Sequence, residues 1–144
     1  MQVHQIIRSR PNADIVTVVP GTKVGDAARV LAERRIGAVI VSKDGKKPLG
    51  ILSERDIVRD LGRRGPACLD EPVDTLMTRN LVSCAPDDLA DTVLERMTAG
   101  RFRHMPVMEG AVMIGIISIG DVVAARLSEL AMEKDALTGM IMGN

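Results

Sequence analysis

Two stretches of the chain place a serine and an aspartate three residues apart, directly after a short apolar run. They are Gly50-Ile-Leu-Ser-Glu-Arg-Asp56 and Gly115-Ile-Ile-Ser-Ile-Gly-Asp121. A serine at a strand-to-helix junction can accept a hydrogen bond from the backbone N–H three residues on, and an acid there can reach back. The same helix N-terminus is suited to phosphate, and a carboxylate can accept two hydrogen bonds from a diol. The pattern predicts a helix cap, either alone or as part of a binding site.

The residues inside the two copies differ in chemistry. Copy one has Glu54 and Arg55 between serine and aspartate, whereas copy two has Ile119 and Gly120. The planar guanidinium of Arg55 is suited to hold a phosphate, and Gly120 leaves a bare N–H for close approach. A carboxylate in the first turn would repel a phosphate at short range. The diol is therefore the better partner for the aspartates.

A second pair of stretches opens the middle strand of each copy. Copy one has Ile36-Gly37-Ala38, which is small and apolar enough to receive a flat base, and copy two has Arg101-Phe-Arg-His104. The basic cluster is either a solvated face or a binding surface. Because it adjoins the apolar run Met105-Pro106-Val107, alternate side chains should point into a cleft. Arg103 and His104 are then candidates to bind an anion.

The two motifs end two copies of one longer pattern. Pro20 to Val41 matches Pro86 to Val107 at an offset of 66 residues, and the motifs match at an offset of 65. Each copy runs from a β-branched strand through an amphipathic helix and two further strands into a helix that begins at the motif serine. Two copies are too few for a solenoid. The sequence predicts an α/β (α+β) fold in which two β-α-β-β-α repeats pack with pseudo-two-fold symmetry.

Apolar periodicity and turn residues predict the element boundaries. We expect a first repeat with its N-terminal lead-in at 1–65 and a second repeat with an extended C-terminal helix at 66–144. The first strand of the second repeat should lie at 81–84, and a short helix at 72–78. Gly62 and Gly100 should each end a helix, and the last helix should run from Ser118 to about Ile141.

Composition narrows the functional classes. Lys plus Arg and Asp plus Glu each number 19, and Phe102 is the only aromatic residue. Nucleic-acid binding is disfavoured, because there is neither a basic excess nor a set of rings for stacking. Apolar runs fall short of the roughly 18 residues of a membrane helix, and Cys68 and Cys84 have no metal-binding spacing. We expect a cytoplasmic protein without a membrane anchor or a metal site.

The tandem pattern, closed twice by Gly-x-x-Ser-x-x-Asp, resembles the cystathionine-β-synthase (CBS) domain pair, or Bateman module, over roughly residues 3 to 130. Small free-standing bacterial members are especially similar at 53–56, 100–104 and 115–123. The resemblance implies a regulatory protein that binds an adenine nucleotide (AMP, ADP, ATP or NAD(H)) in clefts between the repeats. It implies an unknown regulated partner and no catalytic cofactor.

The resemblance and the residue chemistry together assign parts of the nucleotide to residues. Asp56 and Asp121 would hold the ribose in two pseudo-symmetric sites. Phosphate contacts would come from Ser53, Arg55, Ser118, Gly120, Arg103 and His104. Base contacts would come from Ile15, Val16, Thr17, Ile36, Gly37, Ala38, Thr78, Asn80, Leu81, Val82, Met105 and Pro106. Backbone N–H and C=O groups would hydrogen-bond to the adenine edge. Residues 15–17 would supply these groups in the Asp121 site, and residues 78–82 in the Asp56 site.

Assembly and activity leave alternatives open. Apolar residues follow each motif aspartate, and a chain of this length cannot bury all of them, so we expect an isologous homodimer. These residues are Ile57, Val58, Leu61, Val122, Val123 and Leu127. Besides a non-enzymatic sensor, the chain is compatible with an enzyme acting on the nucleotide, with His104 as general base, or with a structural oligomer whose sites are vestigial.

Overall fold

The computed structural model describes residues 1–10 and 15–142. Within these residues the chain forms five α-helices and five strands, with 3₁₀ turns at Pro66–Asp70 and Val73–Thr75. In chain order the elements are α1 (Val3–Ser9), β1 (Thr17–Val18), α2 (Val24–Arg34), β2 (Ala38–Val41), β3 (Gly50–Ser53), α3 (Glu54–Arg64), α4 (Ala90–Gly100), β4 (His104–Glu109), β5 (Val112–Ser118) and α5 (Ile119–Ile141). The predicted end of the last helix is confirmed.

The first repeat is a three-stranded sheet with two helices. β1 is parallel to β2, and β2 is antiparallel to β3, with Ala38 opposite Ser53. The hairpin between β2 and β3 turns at Gly45, where φ is 77°. Helix α2 buries one apolar stripe against this sheet. The register brings the start of β2 beside the end of β3, where the serine motif begins.

The second repeat has the same first helix, antiparallel strand pair and motif helix, with two strands in its described sheet, and the predicted α/β fold of two packed repeats is confirmed. His104 of β4 lies opposite Ser118 of β5, as Ala38 lies opposite Ser53 in the first repeat. Two further hydrogen bonds match at the motifs. Glu54 N donates to Gly37 O at 2.9 Å, and Ile119 N donates to Arg103 O at 2.8 Å. These equivalent bonds fix the pseudo-two-fold relation at the two sites.

The prediction of a strand at 81–84 was wrong. Only Cys84 pairs there, through a single parallel bridge to Val107. Its N–H donates to Pro106 O, and its carbonyl accepts from Met108 N. The residues before it leave the sheet edge and line a cleft instead, with Val82 exposed by 45%. A short apolar run predicts a strand equally well whether it packs on a core or faces a cavity.

Gly62 does not end α3, which continues to Arg64 and stops before Gly65, where φ is 78°. Ion pairs of Arg64 with Asp60 and with Glu71 tie down the last turn. Their hydrogen bonds raise the pKa of Arg64 above its usual value. These contacts offset the low helix propensity of an interior glycine.

Helix α4 ends at Gly100, as predicted. Gly100 is the last residue of α4, and Arg101 adopts the left-handed conformation with φ of 56°. Its counterpart Arg35 does the same after α2, with φ of 54°. Both backbone N–H groups donate to the helix, to Met97 O and Leu31 O respectively. Each repeat thus turns sharply from its first helix toward its middle strand.

The lead-in segments cross over and pack on opposite repeats. Val3 and Ile6 of α1 belong to the core of the second repeat. Val73 and Met77, which precede the second repeat in the chain, belong to the core of the first. Each repeat therefore completes its core with a segment that adjoins the other repeat in sequence.

The first glycine of each motif permits this cross-packing. A Cβ at Gly50 would lie 2.5 Å from Met77 Sδ, and a Cβ at Gly115 would lie 3.0 Å from Ile7 Cδ1. A side chain at either position would push the lead-in segment away from the sheet. The glycines of the repeated motif thus have a packing role that the serine and aspartate do not share.

Candidate functional site

The first motif lines a cavity of about 500 Å³ between the two repeats. Ser53, Arg55 and Asp56 form one wall. The other walls come from the segment that leads into the second repeat and from the start of β4. These residues are Thr78, Asn80, Leu81, Val82, Arg101, Phe102, Arg103, His104 and Pro106. We call this cavity the Asp56 cleft.

The Asp56 carboxylate is held by its own helix. Its Oδ2 accepts from the N–H and the hydroxyl of Ser53, both at 2.9 Å. Ser53 Oγ in turn accepts from Asp56 N at 3.3 Å, so the predicted cap is confirmed. The second oxygen, Oδ1, accepts from Arg59 Nη2 at 2.8 Å. The carboxylate is thus oriented at the cavity wall with only 12% of its side chain exposed.

Basic residues dominate the Asp56 cleft. Four arginines line it, against the carboxylates of Glu54 and Asp56. The arginines are Arg55, Arg59, Arg101 and Arg103. Because clefts with low-dielectric walls strengthen the local field, this excess of positive charge favours a ligand with several negative charges. The N-terminus of α3 contributes to the same wall.

The second motif lines a smaller cavity of about 340 Å³, which we call the Asp121 cleft. Ser118 and Asp121 stand on one side. Residues from the start of β2 and from the approach to β1 stand on the other, namely Val16, Ile36, Gly37 and Ala38. The structure thus brings part of the predicted base-contacting set beside each motif, with 16 and 36–38 in this cleft and 78 and 80–82 in the Asp56 cleft.

An arginine reaches into the Asp121 cleft and binds its carboxylate. Arg10 Nη1 donates to Asp121 Oδ2 at 2.9 Å, and Arg10 Nη2 donates to Ile116 O at 2.6 Å. Asp121 Oδ2 also accepts from Ser118 N at 2.9 Å, and Ser118 Oγ accepts from Asp121 N at 3.1 Å. The second cap therefore matches the first, but its carboxylate is paired with a side chain 111 residues away.

His104 forms part of the wall of both clefts. Its Cε1 and Nε2 atoms lie 3.1 Å from where a Cβ at position 37 would be, so a glycine at Gly37 lets the ring approach. Burial lowers the pKa of His104, and Arg103 lowers it further, while Glu54 and Asp121 act in the opposite direction. The neutral ring therefore dominates at pH 7.

Several predicted site residues lie elsewhere. Ile15, Thr17 and Gly120 are outside the described linings of both clefts. The side chain of Met105 has 0% exposure and belongs to the core of the second repeat, so it is not available to contact a base. Alternation along β4 explains this, because His104 and Met105 point to opposite faces.

Besides Arg101, which belongs to the basic cluster noted in the sequence, three cleft arginines were not among the predicted site residues. Arg59 follows Asp56 by three positions on one helix, a spacing at which side chains meet, so the sequence carried a signal for it. Arg10 and Arg35 line the Asp121 cleft. No local spacing pointed to them, because their proximity depends on how the repeats pack.

The described part of the chain holds no cluster of three or more His, Cys, Asp or Glu side chains that is suited to a metal ion. Among the same residues, no helix is both long and apolar enough to cross a membrane.

Sequence comparison identifies both halves of the chain. The family model described as "CBS domain" matches residues 3–63 and again 73–128. A mitochondrial CBS domain-containing protein of Arabidopsis thaliana is 34% identical over 124 residues, which are 83% of this chain and 60% of that protein. A second Arabidopsis relative is also 34% identical, but the match covers only 23% of its length. The chain thus spans less than two thirds of these relatives.

Solved structures share the whole architecture. A CBS-domain protein from Agrobacterium tumefaciens is 44% identical, with a TM-score of 0.82, covering 88% of this chain and 99% of that one. A putative signal-transduction protein with CBS domains from Burkholderia ambifaria is 35% identical, with a TM-score of 0.83, covering 89% and 95%. The CBS domain pair of protein MJ0100 was solved in complex with 5′-methylthioadenosine and S-adenosylmethionine. It is 22% identical, with a TM-score of 0.77 and coverage of 90% and 98%, and shows the fold alone.

Proposed function

The chain belongs to the CBS domain family, and we propose that it is a regulatory protein that binds an adenine nucleotide in the Asp56 cleft and passes the occupancy to a partner. One observation carries the proposal. The motif carboxylate, the 78–82 segment and four arginines meet around a single cavity. The adenosine-containing ligands of the MJ0100 domain pair support this class of ligand.

The contacts suggest an orientation for the nucleotide. Asp56 accepts hydrogen bonds from the ribose hydroxyls, while Arg59, whose side chain is 56% exposed, can turn into solvent to free Oδ1. The phosphates extend toward Arg55, Arg103 and the N-terminus of α3, where Ser53 and His104 also contribute.

Backbone hydrogen bonds limit which residues of the 78–82 segment can contact the base. The N–H and carbonyl of Thr78 both bond to Ile51, at 2.9 and 3.0 Å. Leu81 N donates to Arg79 O at 3.0 Å. The Thr78 backbone is therefore committed to the sheet, and we assign the adenine edge to Asn80 and Val82. Because these contacts involve the backbone, the side chains do not determine the base.

A binding role, rather than catalysis, agrees with how the motif residues are used. Both motif serines and both motif aspartates are engaged in helix caps. Relatives carry names such as CBS domain-containing protein and putative signal-transduction protein. We propose that this chain acts as a sensor of the nucleotide in the cytoplasm.

Exposed apolar residues also support a homodimer. Val58 of α3 is 67% exposed, and Val123 and Leu127 of α5 are 40% and 63% exposed. These helices begin at the two pseudo-symmetric motifs. An isologous interface would cover their apolar residues on both chains at once.

The test of the nucleotide proposal begins with the purified chain. Phe102 is its only aromatic residue, so a co-purified nucleotide would dominate the ultraviolet spectrum, and mass spectrometry of the released ligand would identify it. Calorimetric titration should then show binding of AMP, ADP, ATP or NAD(H) but not of GMP. A saturating ligand, at a hundredfold excess over Kd, stabilises the folded chain by about 2.7 kcal/mol.

The Arg103→Ala variant tests whether this arginine contacts the phosphates of the nucleotide. Removing this guanidinium should weaken ADP and ATP binding more than adenosine binding, because its proposed contact is the phosphate. Arg63→Ala, on an exposed arginine in the last turn of α3, is the matched control. Equal binding of every nucleotide, whatever its base, would indicate generic phosphate binding and contradict the adenine proposal.

A further inference from the structure

We propose that Arg10 closes the Asp121 cleft, so that each chain takes up one nucleotide in the Asp56 cleft until Arg10 is released. This inference rests on the proposed function, because it concerns the same class of ligand. It assigns regulation to the second cleft: the guanidinium occupies Oδ2, one of the two carboxylate oxygens that a ribose would otherwise use.

The geometry of Arg10 is that of an internal ligand. Two of its nitrogens are engaged, one by the Asp121 carboxylate at 2.9 Å and one by the Ile116 carbonyl at 2.6 Å. The side chains of Arg10 and Asp121 are only 24% and 20% exposed. A charge-assisted bond at this distance and burial is stronger than a neutral hydrogen bond. A nucleotide must displace Arg10 before its hydroxyls can reach Asp121 Oδ2.

The matching position in the other repeat shows what Arg10 replaces. Ile51 and Ile116 are equivalent residues of the repeat. The Ile51 carbonyl accepts from the backbone N–H of Thr78 at 2.9 Å, whereas the Ile116 carbonyl accepts from the Arg10 side chain. Arg10 thus completes the sheet edge of the second repeat and pairs with Asp121 at the same time. The ion pair is therefore held in place from two directions.

Among the described residues, the Asp56 cleft has no comparable closure. Its arginine partner, Arg59, lies on the same helix as Asp56 and is 56% exposed. The pair has the i,i+3 spacing of a surface helix pair, a class that contributes a few tenths of a kcal/mol. Arg59 is the more exposed arginine and gives up one hydrogen bond when it leaves Asp56, whereas the less exposed Arg10 must give up both a carboxylate and a sheet carbonyl. The Asp56 cleft is also the larger cavity, with a volume of about 500 Å³ against about 340 Å³ for the Asp121 cleft.

The consequence for binding is quantitative. When the competent form of a site is populated only in a fraction of molecules, its apparent Kd rises by the inverse of that fraction. A cleft closed in 99% of molecules would bind about a hundredfold more weakly than the open cleft. Wild-type chain should therefore show one nucleotide site at concentrations that fill the Asp56 cleft.

Calorimetric titration with AMP and with ATP tests the proposal through stoichiometry. Wild-type chain should bind one nucleotide, and Arg10→Ala should bind two. Arg8→Ala removes an exposed arginine from α1, the helix that ends just before Arg10, and should bind one. The double variant Arg10→Ala/Asp56→Asn should retain one tight site, now in the Asp121 cleft, whereas Asp56→Asn alone should lose the only tight site.

The outcomes separate this inference from the function on which it rests. Two equal sites in wild-type chain would overturn the inference while leaving nucleotide binding intact. One site in a folded Arg10→Ala chain would also overturn it. If no variant binds any adenine nucleotide, the proposed function fails and the inference with it. Should Arg10→Ala not fold, the wild-type stoichiometry and the Asp56→Asn titration still decide between one site and two.

Discussion

A carboxylate that caps a helix is fixed in direction, and both motif aspartates are fixed in this way. Each accepts from the N–H of its serine at 2.9 Å. The cap was predictable because its bonds span three residues. The pairing of Arg10 with Asp121 was not, because the two residues are 111 positions apart and meet only when the repeats pack. Local chemistry could be read from the sequence, whereas contacts across the repeats could not.

Asp56→Asn separates capping from binding. Asparagine retains an oxygen acceptor and nearly the same volume, so at most about 1 kcal/mol of stability should be lost from the cap. The loss of charge should weaken ribose binding by about 1.5–3 kcal/mol, which is roughly ten- to hundredfold in Kd. Calorimetric titration beside thermal unfolding measures both effects. Asp26→Asn, on an exposed first-turn aspartate of α2, is the control. Normal binding by a destabilised Asp56→Asn chain would make the motif a cap only.

His104 predicts a specific pH dependence. Its pKa is lowered by burial, so the unfolded chain binds a proton more readily than the folded chain. The stability that the neutral ring contributes is present above pH 6.5 and is lost as the pH falls toward the folded-state pKa. Wild-type chain should thus lose stability on acidification, and His104→Gln should lose less of it. Chemical unfolding between pH 7.5 and 5.5 measures this, with His4→Gln as control. Identical pH profiles for wild type and His104→Gln would contradict it.

Nucleotide binding should show the opposite trend with pH. A phosphate beside His104 favours the charged ring and raises its pKa, so binding should take up protons and tighten as the pH falls from 7.5 to 6. Calorimetric titration in two buffers of different ionisation enthalpy measures how many protons the protein–nucleotide complex takes up on binding. The same affinity at both pH values would show that His104 does not contact the phosphate.

At the scale of elements, helices were predicted more accurately than short strands. The long α5 follows from one continuous apolar pattern, and it ends at Ile141 as expected. The segment at 81–84 has the composition of a strand, but it lies against a cleft and forms one bridge at Cys84. Periodicity predicts which face is apolar, not what covers that face. Element type therefore followed from local pattern, and pairing depended on tertiary context.

The motif glycine Gly50 and the helix glycine Gly62 should respond oppositely to alanine. At Gly50 a Cβ would lie 2.5 Å from the side chain of Met77, itself only 8% exposed. Overpacking of this kind costs about 1–3 kcal/mol. At Gly62, inside α3, a Cβ would meet nothing within 4 Å among the described residues, so alanine should stabilise by about 0.4–1 kcal/mol. Urea unfolding of both variants provides the comparison. A stable Gly50→Ala chain would show that the lead-in segment can move.

At the scale of the whole molecule, the proposed homodimer rests on the exposed apolar residues of α3 and α5. Leu127 is 63% exposed and lies near Val123 on α5. Leu127→Glu should convert a dimer into a monomer, because a charge at the centre of an apolar interface is not paired. Light scattering at micromolar concentration measures the mass. Val112→Glu, on an exposed valine of β5, should leave the dimer intact. A monomeric mass for the wild-type chain would contradict the proposed homodimer.

The crossed lead-in segments determine how the chain unfolds. Val3 and Ile6 complete the core of the second repeat, while Val73 and Met77 complete that of the first. Neither half can melt without removing apolar surface from its neighbour, so unfolding should be a single cooperative transition rather than two. Free energy gained from a ligand on one side is then shared by the entire chain. The proposed nucleotide in the Asp56 cleft should therefore stabilise α5 as well as the helix that lines the cleft.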